Sequence, residues 1–329
     1  MERIKGKVIS FKDFMKEALY GEKGFYTKKE FLTGERGDFV TPSNFSLPLI
    51  LSLKKFIEEK GKELNTYEIL EIGGGEGVFC ENFLKIMKKI KYFFYEPSKN
   101  LLRVARERLK NLKEVIFLDS LKEIKNFKGF IIIIEVLDAF PFRRLVKMSG
   151  KIFEIMVDLE NKKEILRRYD DNFLDYFMDK IPDNSVFEYS DDIIIFLKEI
   201  KDKIKDSFLI FLDYAESLNE IIKKGKGTAR AFKKHSVSYN FYDEMGEKDI
   251  TRTLNIDFLK KKFELSGYEI IEIKKLSDFL KDYLEEIFEY ERILESKERL
   301  KLISQLNYLI NPEAMGEIFK VFILRGSNP

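Results

Sequence analysis

The sequence of 329 residues is poor in cysteine, in histidine and in long apolar runs, and each shortage excludes a class of protein. A single cysteine, Cys80, cannot form an internal disulfide, so nothing indicates an oxidising compartment, and its helical spacing predicts a core position. The longest apolar runs, among them Phe130 to Ile134, are far too short to cross a bilayer. One histidine and one cysteine give no cluster with metal-ligand spacing, so we expect no bound metal.

The chain also lacks a charge excess of either sign, because 59 Lys and Arg residues face 57 Asp and Glu residues and leave a net charge of +2. A nucleic-acid partner usually requires a clear basic excess, so we expect none. Residues 1–20 alternate charged and apolar residues and lack the apolar core of a signal peptide. We therefore expect a cytoplasmic globular protein that does not enter a membrane.

What the first half does contain is an alternation of short apolar runs and amphipathic segments. Such alternation predicts right-handed crossovers and a doubly wound, mostly parallel α/β sheet. The run at Phe130 is apolar on both faces, as a central parallel strand requires. The predicted strands are Tyr67–Ile72, Tyr92–Tyr95, Val115–Leu118 and Phe130–Val136, and the predicted helices are Val78–Ile90 and Leu101–Lys110.

After the fourth strand the alternation breaks, which indicates inserted segments. Leu145–Met148 and Ile152–Val157 flank Ser149-Gly150 and predict a β-hairpin on a two-residue turn. We expect residues 1–60 to form a helical and loop extension that contributes to a cofactor site. We expect residues 61–329 to form one domain with lid or substrate insertions at about 143–205 and 215–265. Further predicted elements are the loop Lys223–Thr228, the strands Phe208–Leu212, Tyr268–Ile273 and Ile318–Leu324, and helices over 276–292 and 297–309.

A glycine loop follows the first strand, in the sequence from Glu71 to Gly77. Glycines at this position let the backbone turn tightly and approach a ligand at the helix N-terminus. A dinucleotide fingerprint would need glycine at position 78, which is valine. Instead Gly73, Gly75 and Gly77 alternate after the acid Glu71, a form typical of S-adenosylmethionine sites.

Two further acids follow the next two strands. Glu96 ends the second strand, where a carboxylate can accept hydrogen bonds from both ribose hydroxyls of the cofactor. Asp119, with Ser120, ends the third strand beside the expected adenine edge. Together with the loop these residues predict S-adenosyl-L-methionine as cofactor. The alternative is that the glycines only form a turn and the acids only cap it.

Motifs along nearly the whole chain resemble the MidA-like methyltransferases, the family of the mitochondrial complex I assembly arginine methyltransferase and its bacterial relatives. The glycine loop is one of these motifs. The others are Ile9-Ser10-Phe11, Ala18-Leu19-Tyr20, Gly24-Phe25-Tyr26, Gly37-Asp38-Phe39, Glu135 to Pro141, Leu212-Asp213-Tyr214, Gly227 to Phe232 with His235, Gly246 to Thr251, and Pro312 to Lys320.

The resemblance implies a Rossmann-like class I methyltransferase fold that uses S-adenosylmethionine. It implies that Gly37, Asp38 and Thr41 belong to a loop that closes over the cofactor, although a plain turn is the alternative for this segment. The eukaryotic members of the family methylate arginine on a complex I subunit, so the resemblance favours a protein substrate. The chain departs from the family at Thr253, where many relatives have histidine.

Glu135 and Asp138 are the candidate catalytic residues, because they follow the fourth strand, where this fold places groups that face the methyl acceptor. A guanidinium is always charged and delocalised, so carboxylates beside it can orient one nitrogen and localise the charge. The alternative is that Asp138 caps a turn and Glu135 anchors the loop. Asp213 is a further candidate wall of the site or a turn cap, and His235 is expected at the surface or in a substrate loop.

Three functions remain open from the sequence. The first is a protein arginine methyltransferase, and the second is a methyltransferase for a small molecule. The third is an assembly factor that retains the cofactor fold without catalysis. A nicotinamide dehydrogenase is disfavoured by Val78. A homodimer is left open.

Overall fold

The computed structural model of the protein describes residues 8–28, 47–161, 163–233, 236–311 and 315–328. These residues form two compact units. The sheet unit takes the described residues of Glu30–Val136, Leu197–Ala215 and Lys260–Pro329, and the inserted unit takes those of Met1–Lys29, Leu137–Phe196 and Glu216–Leu259. The predicted division at residue 60 and the predicted insertion limits stay predictions.

The strands and helices of the described residues are numbered in chain order. The strands are β1 (Val8–Ser10), β2 (Ile69–Ile72), β3 (Tyr92–Tyr95), β4 (Val115–Leu118), β5 (Phe127–Ile134), β6 (Arg143–Met148), β7 (Lys151–Asp158), β8 (Lys163–Arg168), β9 (Val186–Tyr189), β10 (Ile204–Glu216), β11 (Arg230–Lys233), β12 (Ser236–Ser238), β13 (Asp249–Thr251), β14 (Leu254–Asn255), β15 (Glu269–Lys275) and β16 (Phe319–Ser327). The helices are α1 (Phe11–Tyr20), α2 (Phe25–Lys28), α3 (Leu47–Leu64), α4 (Val78–Ile86), α5 (Lys99–Leu109), α6 (Asn172–Asp175), α7 (Asp192–Lys201), α8 (Leu218–Lys223), α9 (Ile256–Leu265), α10 (Leu276–Asp282), α11 (Leu284–Glu291), α12 (Ser296–Ile310) and α13 (Met315–Ile318), with 3₁₀ turns at Leu121–Glu123 and Met178–Lys180.

The sheet unit is built on strands in the order β15-β16-β10-β5-β2-β3-β4. The pairs β10–β5, β5–β2, β2–β3 and β3–β4 are parallel, and β16 runs antiparallel to both of its neighbours. The central strand β5 is buried along its length except for Lys128 and Ile134, which agrees with its apolar sequence. The predicted mostly parallel α/β sheet is therefore confirmed.

Helices cover both faces of this sheet because successive strand residues point to opposite sides. On one face, the ring of Phe56 from α3 contacts Phe208 of β10 at 5.8 Å between centroids. On the other face, Phe211 of β10 stacks on Phe263 of α9 at 5.7 Å. Cys80 is fully buried in the core on the α3 side, as its helical spacing predicts.

The inserted unit contains a mainly antiparallel sheet in the order β1-β7-β6-β9, with β8 beside β7. The predicted hairpin is confirmed by the antiparallel pairing of β6 with β7. Its two turn residues, Ser149 and Gly150, have φ angles of 49° and 71°, and a type I′ turn requires positive φ at both positions. A second, three-stranded sheet has the order β12-β11-β13.

Of the four predicted helices, two differ from the structure by more than two residues at one end or by a break. The first, predicted over Val78–Ile90, ends at Ile86, since Met87 takes an extended conformation with φ −112° and ψ 99°. The second, predicted over 276–292, divides at Tyr283, whose φ of −118° lies outside the helical range. None of the helices described combines the length and the hydropathy needed to cross a membrane.

Candidate functional site

The glycine loop connects β2 to α4 in a conformation that depends on its three alternating glycines. The φ angles of Gly73, Gly75 and Gly77 are 76°, 56° and 76°, a region that residues with a side chain rarely adopt. The Gly73 N–H donates to the carbonyl of Tyr95 at 2.8 Å, which ties the loop to the end of β3. The loop therefore starts at the carboxyl edge of the parallel sheet and leads into a helix N-terminus.

The surroundings of the three glycines differ. A Cβ on Gly73 would lie 2.6 Å from Cγ2 of Val136, and one on Gly77 would lie 2.8 Å from Cδ1 of Leu109. A Cβ on Gly75 would meet nothing within 4 Å. Gly73 and Gly77 are thus required by packing, whereas Gly75 leaves open space in front of α4. A ligand that approaches the backbone at a helix N-terminus fits this space.

Glu96 follows β3 and points its buried carboxylate at the loop. Its Oε2 accepts a hydrogen bond from the Gly75 N–H at 2.8 Å, and its Oε1 accepts one from the Ser98 N–H at 2.7 Å. Burial raises the pKa of Glu96 to about 7, and the two backbone hydrogen bonds oppose that rise. Each carboxylate oxygen can accept more than one hydrogen bond, so the group can also receive ribose hydroxyls.

Glu71 lies on β2 directly before the loop and is buried. Its Oε2 accepts a hydrogen bond from the Tyr92 hydroxyl of β3 at 2.9 Å. Burial raises the pKa of Glu71 to about 8; the Tyr92 hydrogen bond lowers it and the charge of Glu96 raises it further. Glu71 therefore carries a proton over much of the neutral range and acts through hydrogen bonds within the sheet. Its cofactor role stays a prediction.

Asp119 and Ser120 follow β4, and of their two side chains only that of Ser120 serves the local turn. The Asp119 side chain is 84% exposed and pairs with Arg106 at 3.1 Å. The Ser120 hydroxyl accepts from the Lys122 N–H, and Glu123 completes a capping box by accepting from the Ser120 N–H. The capping box belongs to Ser120 and Glu123, whereas the Asp119 carboxylate caps no described turn, and contact with an adenine ring stays a prediction.

Glu135 directly follows β5, and Asp213 lies in the adjacent parallel strand β10, one residue beyond the last register pair of the two strands, Ile134 with Leu212. The Glu135 N–H donates to the Leu212 carbonyl at 2.9 Å, and the Glu135 φ angle is 54°. Positive φ is costly for a glutamate, and such outliers cluster at functional sites. Because β2, β3, β5 and β10 are parallel, Glu135 and Asp213 share the sheet edge that carries the glycine loop and Glu96.

Asp138 belongs to the inserted unit and has different surroundings. The residue is 8% exposed, and its Oδ2 accepts a hydrogen bond from the Thr251 hydroxyl at 2.7 Å. Burial raises the pKa of Asp138; the Thr251 hydroxyl, the Ala139 N–H and the charges of Arg230 and Arg252 oppose that rise. The Ala139 contact fits the turn-capping alternative, and the catalytic role of Asp138 stays a prediction.

The sequence predicts no role for several residues that lie around Asp138. Some of them belong to the motifs Gly227–Phe232 and Gly246–Thr251, which carry the family resemblance. Thr251 and Arg230 are cross-strand partners on β13 and β11. Tyr26 donates to Asp249 at 2.9 Å and its ring stacks on Tyr20. No spacing rule joins these residues, so only the resemblance could have pointed to them.

Four residues of interest, Gly37, Asp38, Thr41 and His235, lie outside the described residues. Within the described residues, no three His, Cys, Asp or Glu side chains are grouped so that they could hold a metal ion. Of the predicted site residues, the sheet unit thus holds Glu71, Gly73, Gly75, Gly77, Glu96, Asp119, Ser120, Glu135 and Asp213, and the inserted unit holds Asp138.

A Rossmann-like sheet with an alternating glycine loop and an acid after the second strand defines a methyltransferase that binds S-adenosylmethionine. The model of the family described as "Putative S-adenosyl-L-methionine-dependent methyltransferase" matches residues 52–273. The chain belongs to this MidA-like family, and its cofactor is S-adenosyl-L-methionine.

Individual relatives agree with this assignment. The protein arginine methyltransferase NDUFAF7 of Xenopus laevis, a mitochondrial protein, is 22% identical over 362 residues, which cover 95% of this chain and 80% of that one. A crystal structure of a COG1565 superfamily member from Burkholderia thailandensis, bound to S-adenosyl-homocysteine, is 22% identical with a TM-score of 0.87, and covers 98% of this chain and 89% of that one. A native crystal structure from the same organism has 21% identity, a TM-score of 0.82 and the same coverage. At this identity the two structures support the fold.

Replacement of Glu96 by alanine should weaken cofactor binding while the chain stays folded. The change removes hydrogen bonds to a charged acceptor, a total loss of about 1.5–3 kcal/mol, so we expect roughly ten- to hundredfold weaker binding. Isothermal titration with S-adenosyl-homocysteine measures the affinity. The matched control is Glu81→Ala on α4, whose carboxylate pairs with Lys85 and Arg108. Equal affinities of the Glu96 variant and wild type would remove Glu96 from the site.

The affinity for the cofactor should rise with pH through about 7. Glu96 has a pKa near 7 in the free protein, and ribose hydroxyls donate hydrogen bonds that favour its charged form. Binding therefore releases a proton below pH 7, and the dissociation constant should fall from pH 6 to pH 8. Titrations in buffers of different ionisation enthalpy measure this release. Glu96→Gln should abolish the change in affinity near pH 7, and Glu71→Gln should keep it. If Glu96→Gln keeps the same change in affinity, another group causes it.

Proposed function

We propose that the protein transfers the methyl group of S-adenosylmethionine to arginine side chains of a protein partner. The observation that carries the proposal is the position of Glu135, which has a φ of 54° at the sheet edge that also carries Glu96; Asp138 follows it three residues later in the sequence. The similarity to a protein arginine methyltransferase over 95% of the chain supports the same acceptor. The proposal includes a substrate-binding role for the inserted unit, since Asp138 and its partners lie within it.

The chemistry explains why carboxylates matter for this acceptor. The cofactor supplies a methyl group on a positively charged sulfur, and the transfer leaves a neutral thioether. One guanidinium nitrogen gains the methyl group and loses a proton. Guanidinium is a weak nucleophile because its electrons are delocalised, so nearby negative charge must orient one nitrogen and concentrate electron density on it. Glu135 and Asp138 are the groups to which we assign this work.

The geometry of Glu135 supports its part in this site. A glutamate with a φ of 54° follows β5, although a glycine or asparagine would take that conformation at lower cost. Its backbone N–H is fixed by the Leu212 carbonyl of the neighbouring strand. The side chain therefore starts from a defined position at the sheet edge that also carries Glu96.

The acceptor can be identified without knowing the partner. The purified protein is incubated with heavy-methyl S-adenosylmethionine and a lysate of source cells that lack the gene, and labelled peptides are fragmented in a mass spectrometer. We expect heavy methylarginine on a small number of proteins, absent when excess S-adenosyl-homocysteine is added. Label only on lysine, or only on small molecules, would contradict the proposal and leave the cofactor assignment intact.

A further inference from the structure

A buried carboxylate on β9 holds the loop that precedes β11. Glu188 is 3% exposed, and its two oxygens accept hydrogen bonds from the Thr228 N–H at 2.9 and 3.0 Å. Its Oε1 also accepts from the Ala229 N–H at 3.0 Å, and its Oε2 accepts from the Thr228 hydroxyl at 2.9 Å. Every donor in this set comes from one short loop.

The loop is shaped to meet this carboxylate closely. Gly227 has a φ of 76°, and a Cβ built on it would lie 2.2 Å from Oε1 of Glu188. An alanine at this position would therefore clash with the carboxylate and strain the backbone. The preceding residue, Lys226, forms an isolated parallel bridge with Val186 of the same strand. The loop thus docks along β9 through its backbone.

Two short paths lead from this anchor to Asp138. In the first, Ala229 is followed by Arg230, whose Cα is paired with that of Thr251, and the Thr251 hydroxyl donates to Asp138. In the second, the Thr228 hydroxyl accepts from the Thr253 N–H at 3.1 Å, two residues beyond Thr251. Glu188 therefore holds the residue before Arg230 directly and, through Thr228, a residue two positions after Thr251, within the inserted unit.

The inserted unit also has an apolar core. One of its clusters includes Phe187, Leu218, Ile221 and Phe258, all of them buried. A buried carboxylate costs several kcal/mol in desolvation unless its hydrogen bonds are complete, and an apolar residue of similar volume is often as stable. The complete set of donors around Glu188 therefore indicates that the loop position itself matters.

We propose that Glu188 is a positioning residue, which acts through Thr228 and Thr251 to hold the Asp138 carboxylate in the orientation that the methyl acceptor needs. This inference rests on the proposed role of Asp138. Glu188 itself need not touch either substrate.

The test uses the full-length protein and two variants. Glu188→Gln keeps the volume but turns an amide NH₂ towards N–H donors, and Thr228→Val removes the hydroxyl while keeping the shape. We expect both to lower kcat for lysate methylation at least tenfold, with the S-adenosyl-homocysteine affinity within twofold of wild type. The matched control is Glu154→Gln. Glu154 is a buried residue of the same unit, and its carboxylate pairs with Arg143 at 2.7 Å. We expect Glu154→Gln to change the thermal transition without changing kcat by more than twofold.

A spectroscopic measurement separates this inference from the proposed function. The ¹³C signal of the Asp138 carboxyl, assigned by its loss in Asp138→Asn, is titrated with pH in each protein. Loss of the Thr251 hydrogen bond should raise the pKa of Asp138 further in Glu188→Gln and Thr228→Val but not in Glu154→Gln. An unchanged Asp138 titration in both variants would overturn the inference even if one variant folds poorly. A shifted titration, with no methylarginine formed by wild type, would keep the inference about positioning and reject the arginine acceptor.

Discussion

Replacement of Gly75 by valine should abolish binding of S-adenosylmethionine and leave a folded protein. A Cβ at this position meets no protein atom within 4 Å, so the new side chain enters only the space in front of α4 that the cofactor requires. We expect at least a hundredfold loss of affinity, about 2.7 kcal/mol. Isothermal titration measures the loss, and the thermal transition reports folding.

Backbone strain must be separated from steric block, because valine tolerates a φ of 56° poorly. Gly75→Asn serves this purpose, since asparagine adopts positive φ more readily than other non-glycine residues and still fills the space. Gly77→Ala is the structural control: its Cβ would lie 2.8 Å from Leu109, so it should lower the thermal transition. If the Gly75 variants lower the thermal transition while the affinity for S-adenosylmethionine is unchanged, the glycines serve only the turn.

The sheet unit could be predicted well from the sequence because its strands are short apolar runs bounded by glycine and charged residues. The strands Tyr92–Tyr95 and Val115–Leu118 have the predicted limits, and the prediction for β5 is displaced towards the C-terminus at both ends. The hairpin at Ser149-Gly150 could be predicted equally well, since a two-residue turn of this type depends on local backbone preferences.

The inserted unit could be predicted only in part, because its strands are defined by distant partners. All six residues of β8 are exposed, so its sequence has no alternation of buried and exposed positions that would indicate a strand. The three residues of β1 form a strand only by pairing with β7, about 150 residues away. Helix α7 also went unpredicted, although Asp192–Lys201 carries apolar residues at helical spacing.

The site shows the same division between local and distant contacts. The alternation of Gly73, Gly75 and Gly77, with an acid after the next strand, encodes a local motif of a βαβ unit, and sequence spacing alone was sufficient to find it. The contact between Thr228 and Glu188 joins residues 40 positions apart, and that between Thr251 and Asp138 joins residues 113 positions apart. The sequence pattern of a single segment cannot predict hydrogen bonds between residues so far apart.

The charge of Asp138 is the feature on which the arginine proposal depends most. Burial raises the pKa of this carboxyl, whereas Thr251 and the charges of Arg230 and Arg252 favour its ionised form. If the ionised form positions the acceptor, kcat should increase with pH as Asp138 loses its proton. A role as a turn cap alone would give no such dependence.

Asp138→Asn should therefore lower turnover roughly 100-fold, about 2.7 kcal/mol of transition-state stabilisation, and remove the rise of kcat with pH. The amide oxygen can still accept hydrogen bonds from Thr251 and Ala139, so the fold and the affinity for S-adenosyl-homocysteine should stay within a few-fold of wild type. The measurement is a pH series of methyl transfer to lysate protein, with the product identified by fragmentation. Glu135→Gln is measured beside it, because full activity in both variants would show that neither carboxylate acts on the acceptor. A loss confined to Asp138→Asn would assign the charge to that residue, and the raised pKa would then set the pH above which the enzyme is active.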